Sequence, residues 1–127
     1  MHDSSGVLPR IAADASALLS SAAPHDRILL DGNWNCTLAS GDDTVSPEHL
    51  SRGTSDLAYI ALRIALADEI FRSESPVLVF DESFAHIDGS RIRGMFRALR
   101  DGQHLIFTCR RDETEAARQL ACTVITL

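Results

Sequence analysis

The chain has 127 residues, 45% of them hydrophobic and 24% charged, and a net charge of −6. This composition suits one globular domain with its own core, and it excludes a broad basic surface that would bind nucleic acid unaided. No run approaches the roughly 20 apolar residues that cross a membrane, and the start MHDSSGVLPR has no basic-then-apolar signal pattern, so a cytoplasmic location is expected.

The polar residues 1–6 are expected to fray. Leu8, Ile11, Ala15, Leu18 and Ala22 then fall at helical spacing, which predicts a helix over 8–23 with Pro9 in its first turn and a stop before Pro24. RILLD (27–31) and WNCTLAS (34–40) read as a β-hairpin turning at Asp31-Gly32-Asn33. Trp34, Cys36 and Leu38 alternate with polar or small residues, so Trp34 is expected to face the core. The polar GDDTVSPEH (41–49) reads as a loop.

Residues 50–72 begin with the loop Ser51-Arg52-Gly53-Thr54 and continue as a long apolar helix. Leu57, Ile60, Ala61, Ile64 and Phe71 line one face, and Leu62, Leu66 and Ile70 widen the stripe, so burial on much of the surface is expected. PVLVFDE (76–82) has no alternation, which suits a strand covered on both faces. A helix over 89–102 with Ile92, Met95, Phe96 and Leu99 inward follows, then strand HLIFTC (104–109), helix RDETEAARQL (111–120) and strand CTVITL (122–127). Strand and helix alternate from 76 onward, so the fold class is α/β with a mainly parallel sheet and flanking helices.

Cys36, Cys109 and Cys122 are an odd set without a CxxC and read as reduced, mostly buried thiols. The five histidines lack metal-ligand spacing.

Three short stretches carry candidate chemistry, and each also has a plain structural reading. Ser51 or Thr54 can simply cap a helix. Hydroxyls, a Gly and exposed N–H groups at the positive end of a helix dipole can also hold an anion. Asp81 and Glu82 can simply close a strand. At the carboxyl end of an α/β strand they can also divide into a ligand for hydrated Mg²⁺ and a base for an attacking water. Asp88 can cap the next helix.

Taken together, the order of these stretches resembles the C-terminal lobe of an ABC-type ATPase head, in particular the SMC/RecN/RecF-like group that serves DNA repair and chromosome maintenance. LSRGTSDLAYIALRIAL looks like that group's signature motif and helix, PVLVFDESFAHID (76–88) resembles a Walker B strand and D-loop, and HLIFTCR (104–110) sits where the family has its switch strand. The likeness spans 27–127 and is most specific over 50–88. It implies a partial P-loop NTPase fold. Asp81 would hold Mg²⁺ through water and Glu82 would be the general base. The loop Ser51, Arg52, Gly53 and Thr54 would meet ATP held by a second head, with Ser51 and Gly53 at its γ-phosphate. Asp88 would reach across the same dimer interface.

The sequence departs from the family in several places. No GxxxxGK(S/T) is present, so the β- and γ-phosphates have no Walker A cradle. The family carries that loop on an N-terminal lobe, so the chain reads as half a head, inactive and without ATP binding alone. Arg110 stands at the switch histidine position; it can contact a γ-phosphate but cannot change charge near neutral pH. Leu57 stands where relatives often have glutamine. The 8–23 helix is either the root of a coiled-coil arm or a packing helix. The implied partners are the Walker A lobe, a second head and, for the full protein only, DNA. Two alternatives remain open: a non-hydrolysing lobe that docks a partner, and a fragment of an ABC transporter ATPase, whose signatures more often carry paired glycines and a glutamine.

Overall fold

The computed structural model describes residues 6–99 and 102–127. The frayed start and the end of the third helix were expected at positions that include 1–5, 100 and 101, which lie outside the described residues.

Helix α1 (Val7–Ser20) buries Leu8, Ile11 and Ala15 as expected, but Leu19 is buried in its last turn, and the expected Leu18 and Ala22 are half-buried. Its chain turns out just before Pro24, where Ala23 N–H still reaches the Leu19 carbonyl at 2.7 Å. Strands β1 (Asp26–Leu30), β2 (Cys36–Ser40) and β3 (Asp43–Val45) form an antiparallel sheet in that order. Ile28 N–H donates to Ser16 Oγ at 2.8 Å, which pins β1 to α1. The Asp31 carboxylate organises the first turn by accepting from the N–H groups of Asn33 and Asn35 at 2.8 and 2.9 Å.

Two expectations fail in this sheet. The segment 41–49 is not all loop: it contains β3 and a 3₁₀ turn at Pro47–His49. Gly41 at φ 62 supplies the tight reversal between β2 and β3. Trp34 is not core. It lies before β2 with φ 64, which breaks the alternation, and it is 44% exposed.

Helix α2 (Arg52–Ile70) packs along α1, and Arg10 ties to Glu69 at 2.9 Å. Leu57, Ile60, Ala61, Ile64 and Ala65 are buried, whereas Leu66, Ile70 and Phe71 are exposed, so the apolar stripe is narrower than expected. Strands β4 (Val79–Asp81) and β5 (Leu105–Phe107) pair in parallel, with Val79 opposite Leu105 and Asp81 opposite Phe107. Between them runs α3 (Gly89–Leu99), whose inward residues are Ile92, Met95, Phe96 and Leu99 as expected. A Cβ on Gly94 would lie 2.1 Å from the Ser21 carbonyl oxygen, so this glycine lets α3 abut the end of α1. Helix α4 (Arg111–Gln119) follows.

The α/β class holds, but the parallel sheet is smaller than the strand pattern suggests. Residues 122–127 form no strand, and Ile125 and Leu127 are exposed. Nor is β4 covered on both faces. Phe80 is fully buried and stacks on Phe84, which meets Phe96 edge-on at 5.1 Å. Val77 and Val79 on the other face, with Leu105 and Phe107 beside them, are exposed.

Candidate functional site

Ser51 caps α2 from an extended backbone conformation, and its hydroxyl oxygen accepts from Thr54 N–H at 3.2 Å. The same hydroxyl donates to Thr54 Oγ1 at 2.9 Å. Gly53 is buried because the backbone after β4 passes directly over it: a Cβ there would stand 2.3 Å from the His86 carbonyl oxygen. Arg52 lies on the same turn and lines an open cleft of about 250 Å³ with Asp56, Arg63, Glu82 and His86.

The segment after β4 ends at Asp88, which caps α3. Its Oδ1 accepts from Ser90 Oγ at 2.9 Å and Arg91 N–H at 3.1 Å, and its Oδ2 accepts from Arg91 Nε at 2.8 Å. The backbone N–H of Arg91, the Ser90 hydroxyl and the Arg91 guanidinium hold the Asp88 carboxyl below its ordinary range. Arg91 also donates to Thr54 Oγ1 at 2.9 Å. Ser51, Thr54 and Asp88 are therefore joined through Arg91 in one network, and Gly53 is buried beneath the His86 carbonyl beside it.

Asp81 and Glu82 lie at the carboxyl end of β4, both exposed. Glu82 has φ 53, a left-handed conformation that costs a non-glycine residue energy. Two bonds to the neighbouring strand hold it there. Glu82 N–H donates to the Phe107 carbonyl at 2.9 Å, and Glu82 Oε1 accepts from Cys109 N–H at 2.7 Å. The carboxylate beside it pushes the Cys109 thiol pKa up. Cys109 is exposed, and Cys36 and Cys122 are half-buried, so the thiols are less buried than expected.

Arg110 faces its own lobe. Its guanidinium donates to both Asp112 carboxylate oxygens, at 3.1 and 2.6 Å, and to the Ala85 carbonyl. Next to it, Glu113 is 1% exposed, and neither of its oxygens has a hydrogen-bond partner. Burial raises its pKa, against the opposing pull of Thr108 and of Arg110, whose Nε is 3.7 Å away.

Three of these features were not anticipated. Arg91 is an exposed-looking cation three residues after an acid, Asp88. Arg63 donates to the Val79 carbonyl at 3.3 Å and lies over the Phe80 ring at 5.4 Å, which braces β4 against α2. Glu113 looked like a surface acid favoured by the α4 dipole. An arginine inside the apolar pattern of α2 was a usable signal for Arg63; the other two depend on tertiary contacts.

Among the described residues, no group of three or more His, Cys, Asp or Glu is placed to hold a metal ion. A single exposed carboxylate such as Asp81 nonetheless fits magnesium, which keeps several waters and draws its other ligands from phosphate oxygens. No described helix is long and apolar enough to cross a membrane.

No protein-family model matches the chain. It is 34% identical to the protein YhaN of Bacillus subtilis (strain 168), an alignment that covers 72% of this chain and 11% of YhaN. Solved structures of SMC heads superpose on most of it. An SMC ATPase described for ATP-driven dimerization and DNA-stimulated activation has TM-score 0.65 and 18% identity, covering 87% of this chain and 73% of that one. An SMC head bound to the C-winged helix domain of ScpA gives 0.68 and 17%, covering 86% and 37%. The SMC head domain from Thermotoga maritima gives 0.66 and 21%, covering 84% and 40%. The chain therefore shares its fold with part of an SMC head. Its motif order resembles the C-terminal lobe of such a head.

Proposed function

We propose that the chain is the C-terminal lobe of an SMC/RecN-like ATPase head that supplies the Walker B and signature motifs to ATP-dependent head dimerisation and ATP hydrolysis, in DNA repair or chromosome maintenance. The observation that carries this reading is the division of the site. The Ser51–Thr54 loop and Asp88 share one surface, while Asp81 and Glu82 occupy the end of β4.

In this reading ATP and Mg²⁺ bind chiefly to a Walker A lobe of the same protein. Bound magnesium would offset charge on the phosphates. Asp81 would hold the hydrated metal, and Glu82 accepts a proton from the attacking water. The strained Glu82 backbone and the Cys109 N–H fix one carboxylate oxygen and leave the other to the water. Ser51 at the α2 start faces the γ-phosphate on a second head, with Arg52, Thr54 and Asp88 beside it, and the buried Gly53 lets the two loops lie close enough to share that face.

The test is Glu82→Gln in the complete protein. Turnover should fall by about 10²–10⁴-fold, the usual share of a general base, and ATP should hold the heads as a dimer. Unchanged turnover removes Glu82 from this role. One observation favours a second reading, a docking lobe without hydrolysis: Arg110 at the switch position is bound to Asp112 and Ala85. That reading expects no turnover in the unmutated protein.

A further inference from the structure

The two loops that meet a second head in the proposed function are joined to one another. Thr54 ends the first, and Asp88 closes the second, 34 residues later in the chain. Arg91 spans them, donating through Nε to Asp88 Oδ2 at 2.8 Å and through a terminal nitrogen to Thr54 Oγ1 at 2.9 Å. The Arg91 side chain is 24% exposed and its bond to Thr54 is partly buried, while the Asp88 end, 57% exposed, is open to water. The network continues past Thr54 to Ser51 at 2.9 Å. At Gly53 the loops also touch backbone to backbone, with no room for a Cβ.

We infer that Arg91 is a positioning residue that makes the Ser51–Thr54 loop and the Asp88 segment move as one unit. A guanidinium suits this task because its rigid fork can serve two acceptors at once, whereas an ammonium has a single donor centre. Asp88 keeps the fork oriented, and the fork holds the Thr54 hydroxyl. An ordering event at either loop is thereby passed to the other, and thermodynamic linkage makes the effect reciprocal.

The inference rests on the proposed function for its use in catalysis, but the tie itself can be read without ATP. Amide hydrogen exchange of the chain measures both ends. The Thr54 N–H is bonded to Ser51 Oγ, and the Arg91 N–H is bonded to Asp88 Oδ1. Arg91→Gln should speed exchange at Thr54 by about tenfold, as expected for loss of a charge-assisted bond. Exchange at Ile28, on β1, should stay unchanged and report an intact fold. The reciprocal variant guards against a local misfold. Thr54→Val should speed exchange at the Arg91 amide, and Thr54→Ser, which keeps the oxygen, should restore it. Exchange confined to the mutated loop in both directions overturns the inference.

In the complete protein, Arg91→Gln and Thr54→Val should each lower kcat with KM unchanged, and the double variant should be no worse than either single one. Additive losses contradict the tie. Absence of turnover in the unmutated protein counts against the ATPase reading alone, because the exchange result stands independently of it.

Discussion

The two sheets of this chain are finished to different degrees. The antiparallel sheet buries Ile28 and Leu38 in the core it shares with α1 and the other helices, and Ala39 is buried as well. The parallel pair β4–β5 buries only one face. Phe80 is 0% exposed, yet its neighbours Val79 and Phe107 are 45% and 50% exposed. The β4 sequence has apolar residues for two faces, and the chain covers one. The half-covered sheet also carries Asp81 at the end of β4, with Glu82 directly after it in the cleft beside α2. A sheet left open beside its site suits a lobe completed by another one, and the predictions below probe each side of that difference.

The largest effect should come from breaking the covered face. Phe84 is fully buried between Phe80 and Phe96, so Phe84→Ala should cost about 3–5 kcal/mol, read as a lower denaturant midpoint. A loss under about 1 kcal/mol would mean that the aromatic cluster is not the core of this half. Gly53→Ala should cost less, about 1–3 kcal/mol, because the new methyl must push the His86 carbonyl away. A thermal melt unchanged by that substitution would show that the two loops separate freely.

Glu113→Gln should be mildly stabilising, raising the melting midpoint by roughly 3 °C. The buried carboxyl has a raised pKa, so its contribution favours the folded state below the ordinary value of 4.5 and is lost as pH rises through the folded value. The variant's advantage should therefore grow above pH 4.5 and vanish below it. An advantage independent of pH would contradict a buried charge as the cause. The smallest change in stability, within about 0.5 kcal/mol, should follow from Val79→Thr with Phe107→Ser on the open face. Sedimentation should show less self-association for that pair than for the unmutated chain; equal association would place the contact elsewhere.

Much of this was legible in sequence, for identifiable reasons. The α3 stripe and the first turns of the α1 stripe follow helical spacing, and only at the end of α1 does Leu19 replace the expected Leu18 as the buried residue. The β3 strand was hidden because Asp43-Thr44-Val45 has one apolar residue and depends on its partner β2. Residues 122–127 read as a strand but form none, because a strand needs a pairing partner and local composition cannot show one. At the candidate site, the loop at Ser51 and the acids after β4 were readable because they follow local chain signals. Arg91 was not, since its second bond reaches a residue 37 positions away. The pairing of Arg110 with Ala85, 25 positions away, was equally invisible.

The most direct test of the central claim is ATP turnover by this chain, with and without the Walker A lobe of the same protein. The account predicts no turnover by either part alone and turnover on mixing, abolished by Glu82→Gln. Turnover by this chain alone would contradict it, as would an assembled pair that binds ATP and never hydrolyses it.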